Sequence, residues 1–118
     1  MIEILTPDFE FGDDRGFLCQ LVHGGYKQVN VVYSNKGVYR GGHYHKINTE
    51  AFYVVSGAFE VTVTDGEKKQ IYTFKKGDMF SIKPGVWHDF NYVEDTVLVG
   101  LYDVGVELDD GTKDICTE

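Results

Sequence analysis

Positive charge is scarce in this chain. Lysine and arginine number 11 against 19 acidic residues, a formal net charge of −8. A protein that grips a phosphate polymer needs a broad basic face, so no nucleic acid partner is expected. Arginine occurs only as Arg15 and Arg40, each followed by glycine, in "DDRG" and "YRGG". A small phosphorylated ligand needs only one or two well-placed cations, so that ligand class stays open. Cysteine is equally sparse. Cys19 and Cys116 lie far apart and form no framework or CxxC pair, and Cys19 alternates with Phe17 and Leu21 like a buried thiol. No apolar run approaches the ~20 residues of a membrane span. The opening "MIEILTPDFE" has no basic-then-apolar leader pattern. The expectation is a soluble, cytoplasmic protein without a membrane partner. Helical periodicity is missing from every window of a dozen residues.

What remains is strand signal. "FLCQLV" (17–22), "KQVNVVYS" (27–34), "AFYVVS" (51–56), "AFEVTVT" (58–64), "KQIYTF" (69–74), "MFSI" (79–82) and "TVLVGLYDV" (96–104) are rich in β-branched and aromatic residues. Turn residues separate them, and "TDGE" at 64–67 reads as a hairpin. Short strands about every ten residues predict an all-β sandwich or barrel, and 118 residues predict a single domain, 1–118. The N-terminal "IEIL" reads as a short apolar strand with little of its own to pair with. The acidic tail "ELDDGTKDICTE" reads as a final edge strand or a loosely held end.

Chemistry concentrates in "HYHKINTE", residues 43–50. On a strand His43 and His45 point to the same face. Glu50 has the wrong parity to join them, unless the polar "KINT" bends and resets it. Reading outward, the segment becomes G-x5-H-x-H-x4-E-x6-G, from Gly37 through His43, His45 and Glu50 to Gly57. Further on, "GDMFSIKPGVWH" runs from Gly77 to His88. These two stretches resemble the two motifs of the cupin family. Departures are confined to the second, where Lys83 stands at the proline position, Pro84 comes one step late and Asn91 one step early.

The resemblance implies a double-stranded β-helix, the cupin jelly-roll barrel, with His43, His45, Glu50 and His88 converging inside it. Three imidazoles and a carboxylate suit a divalent metal, Zn, Fe, Mn, Ni or Co, with room for water or substrate. The plainer alternative is a polar barrel lining without a metal. His23, in "VHGGY", is left as a surface turn residue.

The residues ahead of the first motif narrow the family. "FGDDRGFLCQL" followed by "QVNVVYSNKGVYRGGHYH" is similar to dTDP-4-dehydrorhamnose 3,5-epimerases. That likeness implies that Arg15, Gln28, Asn30 and Arg40 bind a nucleotide-diphosphate sugar and that His43 is a general base. Arginine's planar fork suits phosphate oxygens. The plain alternative is that Arg15 and Arg40 only pair with Asp13 or Asp14. Those epimerases lack the second histidine of H-x-H and carry a late-strand tyrosine acid, whereas here Tyr102 falls about two places late. "RGGHYHK" is closer to dTDP-4-keto-6-deoxyhexose 3,4-ketoisomerases, in which both histidines transfer protons. "TEAFYVVSG" and "KPGVWHDF" also resemble the metal-binding cupin domain of capsular-polysaccharide epimerase/reductases.

The resulting expectation is an isomerase or epimerase of a nucleotide-activated 4-keto-6-deoxy sugar, in polysaccharide or deoxysugar biosynthesis. It would work by proton abstraction α to the carbonyl. His43 and His45 are the candidate catalytic residues, and a homodimer is the expected assembly. Two alternatives stay open: a metal-binding sensor or sugar-binding module without turnover, and a metal-dependent cupin oxygenase. A metal-bound histidine is not a free base on the same nitrogen, so the metal and two-histidine readings compete.

Overall fold

A computed structural model describes residues 1–117. Eleven strands form in chain order: β1 (Ile2–Leu5), β2 (Phe9–Asp13), β3 (Gly16–Gln20), β4 (Gln28–Ser34), β5 (Tyr39–His43), β6 (Glu50–Ser56), β7 (Ala58–Thr64), β8 (Lys69–Lys75), β9 (Met79–Ile82), β10 (Trp87–Tyr92) and β11 (Thr96–Tyr102). No helix occurs among the described residues. A five-stranded sheet in the order β1-β9-β6-β11-β4 faces a four-stranded sheet, β5-β10-β7-β8, and β2 and β3 form a separate hairpin. Pairing is antiparallel throughout. This is the expected all-β jelly roll.

The period-two alternation of the strands explains the core. Phe59, Val61 and Val63 of β7, Phe52 and Val54 of β6, Phe80 and Ile82 of β9, Phe90 and Tyr92 of β10 and Leu98 of β11 are all buried between the sheets. Full burial of one such side chain contributes roughly 1.5–3 kcal/mol. Aromatic rings fill the centre, with Phe74 stacked on Phe80 and Phe59 tilted against Phe90. The same inward columns then turn polar at one end. Glu50 continues the column of Phe52 and Val54, and His88 continues that of Phe90 and Tyr92. The site is thus the polar end of the core.

Three details depart from the sequence reading. "IEIL" is not short of a partner: it is β1, paired in register with β9 from Ile2↔Ile82 to Leu5↔Met79. The elements left with apolar surface are instead the β2–β3 hairpin (Phe9, Phe11, Phe17, Leu18) and the outer face of β4 (Val29, Val31, Tyr33). Through residue 117 the tail is neither an edge strand nor a loose end, and Glu118 lies outside the described residues. Tyr44 and Cys116 form an antiparallel bridge, as do Glu107 and Lys113, and Asp114 is buried.

Candidate functional site

Strands β5, β6 and β10 supply the four motif residues. His43 ends β5 and stands opposite His88 in the β5–β10 pairing, next to a bulge at 88–89. Gly41 allows this approach: its φ is +97°, and a Cβ there would lie 2.9 Å from the His88 carbonyl oxygen. The "RGG" glycine therefore serves strand contact at the bulge. Beyond His45 the chain bends, and β6 begins at Glu50 with its carboxylate turned toward the histidines. The parity reset expected of "KINT" is real. Gly100 on β11, opposite Phe52, lies beside the acid, where a Cβ would sit 3.4 Å from Glu50 Oε2.

The three imidazoles cluster with ring centroids 4.7–5.4 Å apart. His45 Nδ1–H donates to the Asp114 carbonyl at 2.6 Å, so Nε2 faces Glu50 Oε1 at 3.2 Å. His88 Nδ1–H donates to the Val86 carbonyl at 3.1 Å, leaving Nε2 3.8 Å from the same Glu50 oxygen. Among the described residues the His43 ring makes no hydrogen bond. Tyr102 packs edge-on against His45. His43, Glu50, His88 and Tyr102, with Arg40, Val32, Phe52 and Phe90, line a cavity of about 120 Å³, and His45 is not among its lining residues.

The environments push the three imidazoles apart. Burial, then the like charge of His45, lowers the His43 pKa from its ordinary value, leaving it neutral at pH 7. Burial and His43 push His88 down to about 3, against the pull of the Val86 carbonyl. Burial also opposes charge on His45. The hydrogen bond to Glu50 and then the Asp114 carbonyl outweigh it and raise its pKa. Burial, followed by the Glu50 carboxylate, raises the Tyr102 phenol. A bare Nε2 and a carboxylate oxygen 3.2 Å apart would both be acceptors and would repel. Something positive belongs between them: a proton on His45, or a metal ion. The donor set fits a metal. The ligand atoms of His43, His45 and His88 all lie within 4.8 Å of one another. Both carbonyl-bonded Nδ1–H groups orient their Nε2 lone pairs inward, as outer partners of metal-binding histidines do.

The ligand-binding residues divide. Arg40 lines the cavity and donates Nε–H to Ser34 Oγ at 2.8 Å and an η2 N–H to the Tyr33 carbonyl at 3.3 Å. It forms no ion pair among the described residues. Arg15 does what the plain reading expected: it forks onto Asp13, with Nη2 2.6 Å from Oδ2, in the hairpin turn, and it does not line the cavity. Gln28 spends its side-chain carbonyl on Val106 N–H and donates to Asn30 at 3.4 Å. His23 is an exposed loop residue paired with Asp8. Two residues of the site stand outside the sequence motifs. Tyr102, about two places late for the epimerase pattern, still faces Glu50 in the β6–β11 pairing. Asp114, in "TKDICTE", carries no sequence signal at all.

Residues 30–104 match the Cupin domain family. The chain is a cupin. No curated protein matches the sequence. Among solved structures, this cupin resembles the 3,4-ketoisomerase QdtA from Thermoanaerobacterium thermosaccharolyticum, a mutant form in complex with TDP-4-keto-6-deoxyglucose. The TM-score is 0.84 at 17% identity, over 99% of this chain and 87% of that one. A 3,4-ketoisomerase from Helicobacter canadensis matches with TM-score 0.84 at 19% identity, over 99% and 90%. A dTDP-4-dehydrorhamnose 3,5-epimerase from Sulfolobus tokodaii matches with TM-score 0.72 at 23% identity, over 86% and 69%.

Proposed function

We propose that this cupin isomerises or epimerises a nucleotide-activated, dTDP-type 4-keto-6-deoxy sugar by proton transfer at the carbon next to the carbonyl. The observation that carries this is the pairing of unlike histidines. His43 is neutral and bonded at neither nitrogen among the described residues, while Glu50 and the Asp114 carbonyl pull His45 toward its charged form. His43 removes the α proton, and the C–H electron pair moves into a new C=C bond as the carbonyl electrons move onto oxygen. His45 delivers its Nε2 proton to that oxygen. Return of a proton to carbon, with loss of the hydroxyl proton, completes either outcome. A base near neutral pH is typically worth 10²–10⁴-fold. Arg40 at the cavity rim suits the diphosphate. The named activities of the similar structures belong to the same chemistry.

A second reading rests on the cluster of ligand atoms. Zn, Fe, Mn, Ni or Co would be held by His43, His45, Glu50 and His88, and would supply Lewis-acid stabilisation of the enolate oxygen. For assembly we propose a homodimer. Its support is the exposed apolar hairpin and the apolar outer face of β4, which a second copy would cover.

Deuterium wash-in from solvent to a dTDP-4-keto-6-deoxyhexose tests the chemistry. The expected result is exchange that survives chelator and falls at least 10²-fold in His43→Asn, with dTDP-sugar affinity nearly unchanged. Exchange lost with metal content, in wild type and in Glu50→Gln alike, selects the metal reading. No exchange with any 4-keto sugar would favour a binding module without turnover.

A further inference from the structure

The chain beyond β11 builds part of the site from behind. Residues 106–117 run back to the end of β5, where Tyr44 and Cys116 exchange two N–H···O bonds of 2.9 Å. Between these anchors Asp114, only 4% exposed, points inward. Its Oδ1 accepts the Lys46 N–H at 2.8 Å. Its Oδ2 accepts the N–H groups of Ile47 at 3.0 Å and Asn48 at 2.9 Å, and the Asn48 side-chain amide at 2.8 Å. Asn48, also buried, accepts the Val104 and Gly105 N–H groups and donates to the Gly105 carbonyl. The Asp114 backbone carbonyl meanwhile accepts His45 Nδ1–H at 2.6 Å.

Three successive N–H groups pointing at one spot cannot be satisfied by a β ladder. A buried carboxylate satisfies them together, and charge-assisted bonds of this kind are about twice as strong as neutral ones. The bend they define is the one that turns Glu50 to the face of His45. The carbonyl then decides which nitrogen of His45 is left to meet Glu50. One residue therefore governs both halves of the His45–Glu50 contact.

We propose that Asp114 is the positioning residue of this site: its side chain shapes the 46–48 bend, and its carbonyl holds the Nδ1–H of His45 so that Nε2 is the nitrogen turned to Glu50. The proposal deepens the proton-transfer reading and rests on it, but its first test does not use substrate. Two-bond 1H–15N spectra of chelator-treated protein labelled with 15N-histidine report which ring nitrogen is protonated. Recorded above the pH at which His45 gives up its second proton, the wild-type spectrum is expected to show His45 protonated at Nδ1. In Asp114→Ala it is expected to relax toward the tautomer mixture of a free imidazole, with His43 unchanged. Loss of such outer partners typically costs 10–100-fold, so kcat in the wash-in assay is expected to fall by that factor with KM held within about twofold. Asp114→Asn keeps one acceptor oxygen for the bend, so it is expected to recover part of the loss, and it carries the test if the alanine variant does not fold. Asp110→Ala, which removes only a contact to Thr112 on the same segment, is expected to leave His45 alone. A folded Asp114→Ala or Asp114→Asn with the wild-type His45 pattern overturns the proposal. A tautomer shift in a protein that exchanges no 4-keto sugar upholds the positioning role and removes the functional reading instead.

Discussion

His43, His45 and His88 are the same residue type in one cluster, yet their surroundings give them different tasks. His88 is the most enclosed, and its folded pKa of about 3 lies below its ordinary 6.5. The unfolded chain therefore takes up this proton first as pH falls, so the stabilising contribution is complete above pH 6.5 and is lost from there down toward 3. His43 acts in the same direction, and His45 opposes it. A proton held by the unfolded chain alone costs the fold ~1.4 kcal/mol for each pH unit crossed, so chelator-treated protein should lose on the order of 2 kcal/mol between pH 7 and pH 4.5. Urea midpoints measured across that range check this. His88→Gln should flatten the dependence, and an unchanged slope would contradict the assignment. Arg40 differs from Arg15 in having a cavity to face and, among the described residues, no carboxylate to satisfy it. A charged phosphate contact is typically worth ~1.5–3 kcal/mol, so Arg40→Ala should weaken dTDP-sugar binding roughly 10- to 100-fold by calorimetry. Equal affinity for variant and wild type would remove Arg40 from the ligand site.

Strands are held in place here by their connections as much as by their own composition. Gly57 joins β6 to β7 at φ +92°, and a Cβ there would collide with the Asp95 carbonyl oxygen and lie 2.7 Å from Thr96 Cα. Both contacts are backbone and cannot swing away. Gly57→Ala should therefore cost about 2–4 kcal/mol, from overpacking together with a left-handed alanine. Its urea midpoint should fall by roughly 1 M or more at an m-value of 1–3 kcal/mol/M. A midpoint within experimental error of wild type would mean the turn relaxes freely. The first glycine-bounded motif of the sequence thus has a packing basis at its far end. Strands β2, β5 and β10 lacked a clear propensity signal. "YRGGH" contains two glycines, and "WHDFNY" alternates histidine and asparagine-flanked aromatics with an acid. They become strands because neighbours offer them a ladder: β10 lies between β5 and β7, and β2 has β3.

The whole molecule is elongated, 48 × 32 × 24 Å, with a hairpin whose apolar residues find no cover in the chain. Phe11 and Phe17 on the hairpin and Val31 and Tyr33 on β4 are each more than half exposed. An exposed apolar surface of this kind calls for a partner that covers it. Light scattering at tens of micromolar should return twice the 13.4 kDa chain mass. Phe17→Glu combined with Tyr33→Glu should bring it to the chain mass by placing like charges in the contact. A monomeric wild type would refute the homodimer.

Much of this protein could be read from its amino acids. Alternation of apolar and polar residues specified the all-β class, because a strand with one buried face must repeat every second residue. H-x-H placed His43 and His45 on one face for the same reason, and the resemblance to the two cupin motifs named Glu50 and His88. Tertiary structure alone decided three things. It separated Arg40 from Arg15, because an exposed hairpin satisfied one with Asp13 while a cavity left the other available. It paired β1 with β9, a contact between segments far apart in the chain that local pattern does not encode. It also brought Asp114 beneath His45 across 69 residues, where burial turns an ordinary tail carboxylate into the anchor of the bend. Local periodicity reports which face a side chain takes. Only packing decides which distant backbone groups are left without partners, and therefore which residue must satisfy them.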